Sequence, residues 1–67
     1  MRKMGRVIEA LPSMHFRVEM EDGKIWHCYL SGKLFKAFIK VLVGDKVEVE
    51  IPEVYGSAIG RIVTRFK

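Results

Sequence analysis

The feature that most constrains this chain is a pair of alternating segments joined by an Asp-Gly dipeptide. Six apolar side chains occupy alternate positions, three on each side of the dipeptide: Phe16, Val18, Met20, Trp26, Cys28 and Leu30. A period of two is typical of β-strands with one buried face. Asp22 and Gly23 between two such runs predict a hairpin with a two-residue turn. We therefore expect two antiparallel strands whose even-numbered residues face a core.

Three further segments have strand character. Residues 5–11 are rich in β-branched and aliphatic side chains and end at Pro12. In residues 46–51, valine and isoleucine alternate with glutamate, and residues 60–66 form the last predicted strand. Together with the two strands of the hairpin, of which the returning strand spans residues 24–30, these segments give five predicted strands.

The periodicity changes between the third and fourth strands. Leu34, Phe38 and Leu42 lie four residues apart, which predicts a helix of about ten residues that must dock on the sheet to persist. Ser31 is its expected N-cap. A separate stripe of this helix carries three lysines, Lys33, Lys36 and Lys40.

This order of elements predicts an all-β fold, a five-stranded OB-fold Greek-key barrel with one short helix between strands 3 and 4. Residues 1–67 are expected to form a single domain, because the chain has 67 residues, of which 49% are hydrophobic. A barrel suits so short a chain, since closing the sheet removes exposed strand edges.

The residue types that carry catalysis are sparse. Cys28 is the only cysteine, and it shares the core face, whereas His27 points to the opposite face. His15 and His27 are expected to lie close across the hairpin, but two histidines without a third ligand make a poor metal site. We therefore expect no enzyme, no catalytic residue, no metal and no cofactor.

No apolar stretch long enough for a signal peptide or a membrane span is found in the sequence. The expected protein is a cytoplasmic monomer without a membrane partner.

Charge favours a polyanionic partner. Twelve Lys and Arg residues against eight acidic residues give a net charge of +4. The basic residues form three groups, namely Arg2, Lys3 and Arg6, then Lys33, Lys36 and Lys40, then Arg61, Arg65 and Lys67. We expect the helix and the last strand to converge into a phosphate-binding surface, with Arg61 and Arg65 on one side of that strand and the acids segregated elsewhere. The alternative is that each group only solubilises its surface.

Exposed rings could supplement this charge by stacking on bases. Tyr55, in a loop beside Gly56, is the best candidate, followed by His27 and Tyr29, whereas the positions of Phe35 and Phe66 do not decide between core and surface.

Several short segments together resemble one known family, bacterial and organellar translation initiation factor one, over residues 5–65. The matching segments are Phe16-Arg17-Val18, Glu21-Asp22-Gly23, Leu30-Ser31-Gly32-Lys33, Ile39, Gly44-Asp45-Lys46-Val47, Val49-Glu50 and Gly60-Arg61-Ile62-Val63. The resemblance implies an S1-like OB-fold that occupies the decoding (A) site of the small ribosomal subunit. It also implies contacts with ribosomal RNA and a neighbouring ribosomal protein, and cooperation with the other initiation factors.

The resemblance and the charge pattern together give a set of predicted RNA-binding residues: Lys33, Lys36, Lys40, Arg61, Arg65, Tyr55, Arg2 and Lys3. Phe35 and Ile59 depart from the family, which commonly has basic residues there, and the loop of residues 52–59 lacks the family's Tyr-Asp pair. Two alternatives therefore stay open. One is a general single-stranded RNA-binding protein or RNA chaperone of the cold-shock or S1 type, and the other is a protein-interaction module or a divergent homologue with a specialised role.

Overall fold

The computed structural model describes residues 1–37, 39–52 and 59–66. Its strands are β1 (Arg2–Leu11), β2 (His15–Met20), β3 (Ile25–Leu30), β4 (Lys46–Glu50) and β5 (Ile59–Phe66). The helix α1 (Gly32–Lys36) lies between β3 and β4, and a short 3-10 turn (Pro12–Met14) joins β1 to β2.

The five strands close into a barrel in the order β1, β2, β3, β5, β4, with β4 pairing back to β1. The β3–β5 pairing is parallel and the other four are antiparallel. This confirms the predicted all-β, five-stranded OB-fold barrel with one short helix.

The core fills the barrel with side chains from every strand. Its buried members are Val7, Phe16, Val18, Met20, Cys28, Leu30, Leu34, Val41, Val47, Val49, Ile51 and Ile62. Trp26 is half-buried and packs against them. The even-numbered face predicted for the hairpin is therefore the core face.

The hairpin turn is one residue longer than predicted. The Met20 amide donates to the Lys24 carbonyl at 2.8 Å, and Gly23 adopts a positive φ of 85°. A two-residue turn would have set even-numbered residues of β2 opposite odd-numbered residues of β3, with their apolar faces on opposite sides of the sheet. The three-residue loop, with glycine in the left-handed position, keeps both apolar faces in the core.

The helix is half the predicted length. Ser31 caps it as expected, since its Oγ accepts from the Leu34 amide at 3.3 Å. The prediction of about ten residues is wrong, because α1 ends at Lys36 and Leu42 is exposed while its neighbour Val41 is buried. A β-branched residue has low helix propensity, and Val41 reaches the core from a non-helical segment. Phe38 lies outside the described residues.

Candidate nucleic-acid interface

One outward-facing row of side chains crosses four strands of the barrel. His15 on β2 is in register with Tyr29 on β3, Tyr29 with Arg61 on β5, and Arg61 with Glu50 on β4. Their neighbours along each strand point into the core, so alternation turns this row outward. The row lines an open groove of about 480 Å³, completed by Pro52 and Ile59.

Three rings form one continuous surface on β2 and β3. His15 Nδ1 lies 2.6 Å from His27 Nε2, with the two rings nearly perpendicular, which confirms the expected proximity. The ring centroids of His15 and Tyr29 are 6.4 Å apart. Exposed rings of this kind give bases a stacking platform, and His15 is a candidate that sequence reasoning left out.

Arg17 is a second candidate that the sequence did not single out. It is in register with His27 on the same outer face, and its Nε lies 3.0 Å from Glu9 Oε1 on β1. Its position in the alternating run was the available signal, since Arg17 must point outward between Phe16 and Val18.

A second groove brings three predicted cations together. Arg2, Lys33 and Arg61 line an open groove of about 320 Å³ beside the start of α1. β1 begins at Arg2 rather than at Gly5, and this extension lets Arg2 reach register with Glu50 of β4. Arg61 belongs to both grooves, so the ring surface and the cation groove are contiguous.

The other predicted cations lie elsewhere. Lys36 is exposed on α1 but lines neither groove, and Lys40 lies beyond the helix end, so the three-lysine helical stripe is wrong. Lys3 lies 3.5 Å from Asp22 at the hairpin. Tyr55 lies outside the described residues.

Arg61 and Arg65 do not share one side of β5. Glu48 pairs with Thr64 while Val49 pairs with Ile62, so the register shifts at Val63. Such a bulge reverses the side-chain alternation beyond it. Arg65 is therefore in register with the buried Val47, and its guanidinium donates to the Lys40 carbonyl.

The expected segregation of acids from bases is also wrong. Carboxylates lie within ion-pair distance of three predicted RNA-binding residues: Glu50 at 2.8 Å from Arg61, Glu48 at 3.7 Å from Arg2, and Asp22 at 3.5 Å from Lys3. Arg61 and Glu50 are in register, Arg2 and Glu48 lie diagonally across β1 and β4, and Lys3 of β1 meets Asp22 of the hairpin turn; the separation of these residues along the chain conceals all three pairs. The hydrogen bond from Arg61, followed by its charge, lowers the pKa of Glu50 below its ordinary value.

Apolar side chains border the same surface. Phe35 is 60% exposed and Ile59 is 46% exposed. Phe35 lines a further groove with Met14 and Tyr29, next to the ring surface. The two positions that depart from the family pattern therefore flank the candidate interface.

The described residues outside this surface offer little for catalysis or metal binding. Cys28 is buried, and burial raises the pKa of its thiol to about 11, so the thiolate is disfavoured as predicted. Within residues 1–37, 39–52 and 59–66, no three histidine, cysteine or carboxylate side chains cluster to hold a metal ion.

Among the described residues, none of the helices has both the length and the apolar character needed to cross a bilayer.

Solved structures that are similar to this chain include the following two. The solution structure of a translation initiation factor one from the Wolbachia endosymbiont strain TRS of Brugia malayi is 31% identical, with a TM-score of 0.80, and the match covers 100% of this chain and 78% of that one. The crystal structure of YjeQ from Thermotoga maritima is 34% identical, with a TM-score of 0.78. That match covers 100% of this chain but 23% of YjeQ, so the chain spans less than a quarter of YjeQ.

A family model described as translation initiation factor 1A / IF-1 (eIF-1a) matches residues 1–67. The matched range includes every strand and both grooves described above. The chain therefore belongs to the translation initiation factor 1A / IF-1 family.

Proposed function

We propose that this chain is a monomeric, single-domain initiation factor that binds the small ribosomal subunit at the decoding (A) site through contacts with ribosomal RNA. A neighbouring ribosomal protein and the other initiation factors are its further proposed partners. Arg2, Lys33 and Arg61 bind phosphates, and Tyr29 contacts bases. The sequence also predicts contacts at Lys3, Lys36, Lys40, Arg65 and Tyr55, and of these we assign Arg65 to the hydrogen bond with the Lys40 carbonyl instead of to RNA.

The observation that carries this proposal is the junction of the two grooves at Arg61. One groove supplies three cations for phosphates, and the other supplies rings that can stack on bases. Phosphate contacts position a protein on RNA, whereas stacking and base-edge contacts favour unpaired nucleotides. A surface with both properties suits folded RNA with accessible bases, such as a functional centre of the ribosome.

The test is the binding of the chain to isolated small subunits, measured by co-sedimentation over a salt series. Loss of one phosphate contact lowers the slope of log K against log salt by about 0.7 to 0.9. The double variant Lys33→Ala, Arg61→Ala should therefore bind more weakly and reduce that slope by roughly 1.4 to 1.8.

The matched control is Lys24→Ala, Lys46→Ala, which removes two cations at the hairpin end of the barrel, away from both grooves. Equal loss of binding by the two double variants would show that the surface is misassigned. Wild-type protein that fails to bind small subunits at low salt would refute the proposed function itself.

The three rings on β2 and β3 also favour the alternative of a general single-stranded RNA-binding protein. Such a protein binds short oligonucleotides tightly without ribosomes and loses that affinity in a Tyr29→Ala variant. A ribosome-directed factor binds subunits far more tightly than a single-stranded octanucleotide. Comparing both ligands at one salt concentration separates the two functions.

A further inference from the structure

We infer that His15 and His27 together form a proton-linked phosphate site, which takes up a proton as it binds a backbone phosphate of RNA. This inference rests on the proposed function and deepens it, because it assigns a role and a ligand to two histidines outside the predicted RNA-binding set.

The contact between the two imidazoles limits how many protons the pair can hold. His15 Nδ1 and His27 Nε2 are 2.6 Å apart, within hydrogen-bond distance. An N–H···N bond needs one donor nitrogen and one nitrogen with a free lone pair, whereas both nitrogens of an imidazolium are donors. The pair therefore keeps its hydrogen bond with one ring protonated and loses it when both are.

Among the residues that the structure describes, none supplies a ready counter-ion for a proton on the second ring. Within residues 1–37, 39–52 and 59–66, the charged or titratable groups around the pair are Arg17 on β2, Tyr29 on β3, Arg61 on β5, Glu50 on β4 and Glu9 on β1. Glu9 lies 3.0 Å from Arg17, and Glu50 lies 2.8 Å from Arg61. Each carboxylate is thus already engaged by an arginine.

A bound phosphate favours protonation of both rings. Its oxygens accept hydrogen bonds from both imidazolium rings, and its negative charge favours the doubly protonated pair. The two nitrogens that face each other in the free protein then each carry a hydrogen, and both N–H groups point to the ligand. Arg17, in register with His27 on the same outer face, is the neighbouring residue that could add a third cation.

Proton uptake on binding makes the affinity rise as the pH falls. Histidine is the side chain that ordinarily changes charge between pH 5 and 8, and this chain has two. Cys28 stays protonated in this range, because burial raises the pKa of its thiol to about 11. One proton taken up per complex increases the affinity by at most about tenfold per pH unit.

The experiment measures the affinity for small subunits between about pH 6 and pH 8 at constant salt. Wild type is compared with the double variant His15→Gln, His27→Gln, which keeps polar side chains but cannot be protonated. Lys33→Ala is the matched control, since it removes a cation from the interface and leaves both histidines. We expect roughly tenfold tighter binding of wild type at the acid end, the same pH dependence in Lys33→Ala, and a flat profile in the double variant.

Equal pH dependence in wild type and the double variant overturns the phosphate site, while salt-sensitive subunit binding still supports the proposed function. If no variant binds subunits, the proposed function fails, and the same comparison is made with a single-stranded RNA octanucleotide. Histidine-dependent pH sensitivity with that probe upholds the site, and its absence overturns the site as well.

Discussion

Arg61 on β5 donates a hydrogen bond of 2.8 Å to the carboxylate of Glu50, its register partner on β4. The residue proposed as the junction of the RNA surface is therefore engaged within the protein before RNA arrives. Binding of a phosphate to Arg61 is an exchange of one anion for another. Because the pair is exposed to water, this exchange costs little.

Removing the competing carboxylate should strengthen RNA binding. Glu50→Gln is expected to raise the affinity for small subunits roughly twofold to fivefold, because Arg61 then loses its ion pair with Glu50 and the groove loses a negative charge. Glu21→Gln at the hairpin provides the same change of charge away from both grooves. Similar gains from both variants would mean that net charge, rather than the Glu50–Arg61 contact, governs the affinity.

The same contact predicts how stability depends on pH. The hydrogen bond and charge of Arg61 lower the pKa of Glu50 in the folded protein below the ordinary value of 4.5. A lowered folded-state pKa contributes stability above the unfolded value and loses it as the pH falls through the folded value. The melting temperature of wild type should therefore exceed that of Glu50→Gln near neutral pH, and the difference should vanish in acid. A difference that persists throughout an acid series would contradict this linkage.

Two glycines are required by close packing in the barrel wall. A Cβ at Gly5 would lie 2.6 Å from Val18 Cγ1, and one at Gly60 would lie 2.7 Å from Val49 Cγ1. Gly5→Ala and Gly60→Ala should each lower the free energy of unfolding by about 1–3 kcal/mol in urea denaturation. Gly32→Ala is the control, since a Cβ there has no atom within 4 Å. An equally large loss of unfolding free energy in Gly32→Ala would show that steric overlap with the added Cβ is not the cause.

Arg61 and Arg65 should differ in what they contribute. Arg65 donates to the Lys40 carbonyl, so Arg65→Ala is expected to lower the free energy of unfolding by about 0.5–1 kcal/mol. Arg61→Ala should instead lower the salt slope of subunit binding by about 0.7 to 0.9, with the Arg65→Ala slope close to that of wild type. Thermal melting measures the stability of both variants, and co-sedimentation over a salt series measures their salt slopes. An equal loss of salt slope in the two variants would show that Arg65 binds RNA directly.

Restoring a cation at Phe35 should increase affinity. Phe35 is 60% exposed next to the ring surface, so Phe35→Lys adds a charge without opening the core. We expect a salt slope steeper by about 0.7 to 0.9 and an unchanged melting temperature. Val43→Lys, at an exposed position preceding β4, is the control for charge alone. Weaker binding of Phe35→Lys would indicate that the exposed ring itself makes a contact.

The hairpin shows what could be predicted from sequence. Strict alternation identified the buried face of β2 and β3, including Cys28, because burial of one face imposes a period of two. The same alternation already required an odd number of loop residues, a stronger constraint than the Asp-Gly signal from which a two-residue turn was expected. The length of the helix was overestimated because the apolar residues spaced by four include Leu42. In the structure Leu42 is exposed, and its neighbour Val41 is buried in the core.

The candidate site was less predictable, since it depends on register between distant strands. Lys33 and Arg61 were expected to converge, and they line one groove. The separation of Arg65 from Arg61 was missed because a bulge leaves no mark in a spacing of four residues. The pairing of Glu50 with Arg61 was missed because the distance between two residues along the sequence does not show which residues are neighbours across strands.

The position of β5 between β3 and β4 has a consequence for how the chain folds. β3 and β4 are not neighbours, so neither acquires its second edge partner until β5 inserts between them. The hairpin of β2 and β3 can form locally within microseconds, whereas the parallel β3–β5 pairing joins segments about thirty residues apart. Such non-local closure slows folding, because the entropy of a large loop is lost before the pairing is gained. Barrel closure should therefore be rate-limiting, and substitutions in β5 should affect the refolding rate more than equally destabilising substitutions in α1.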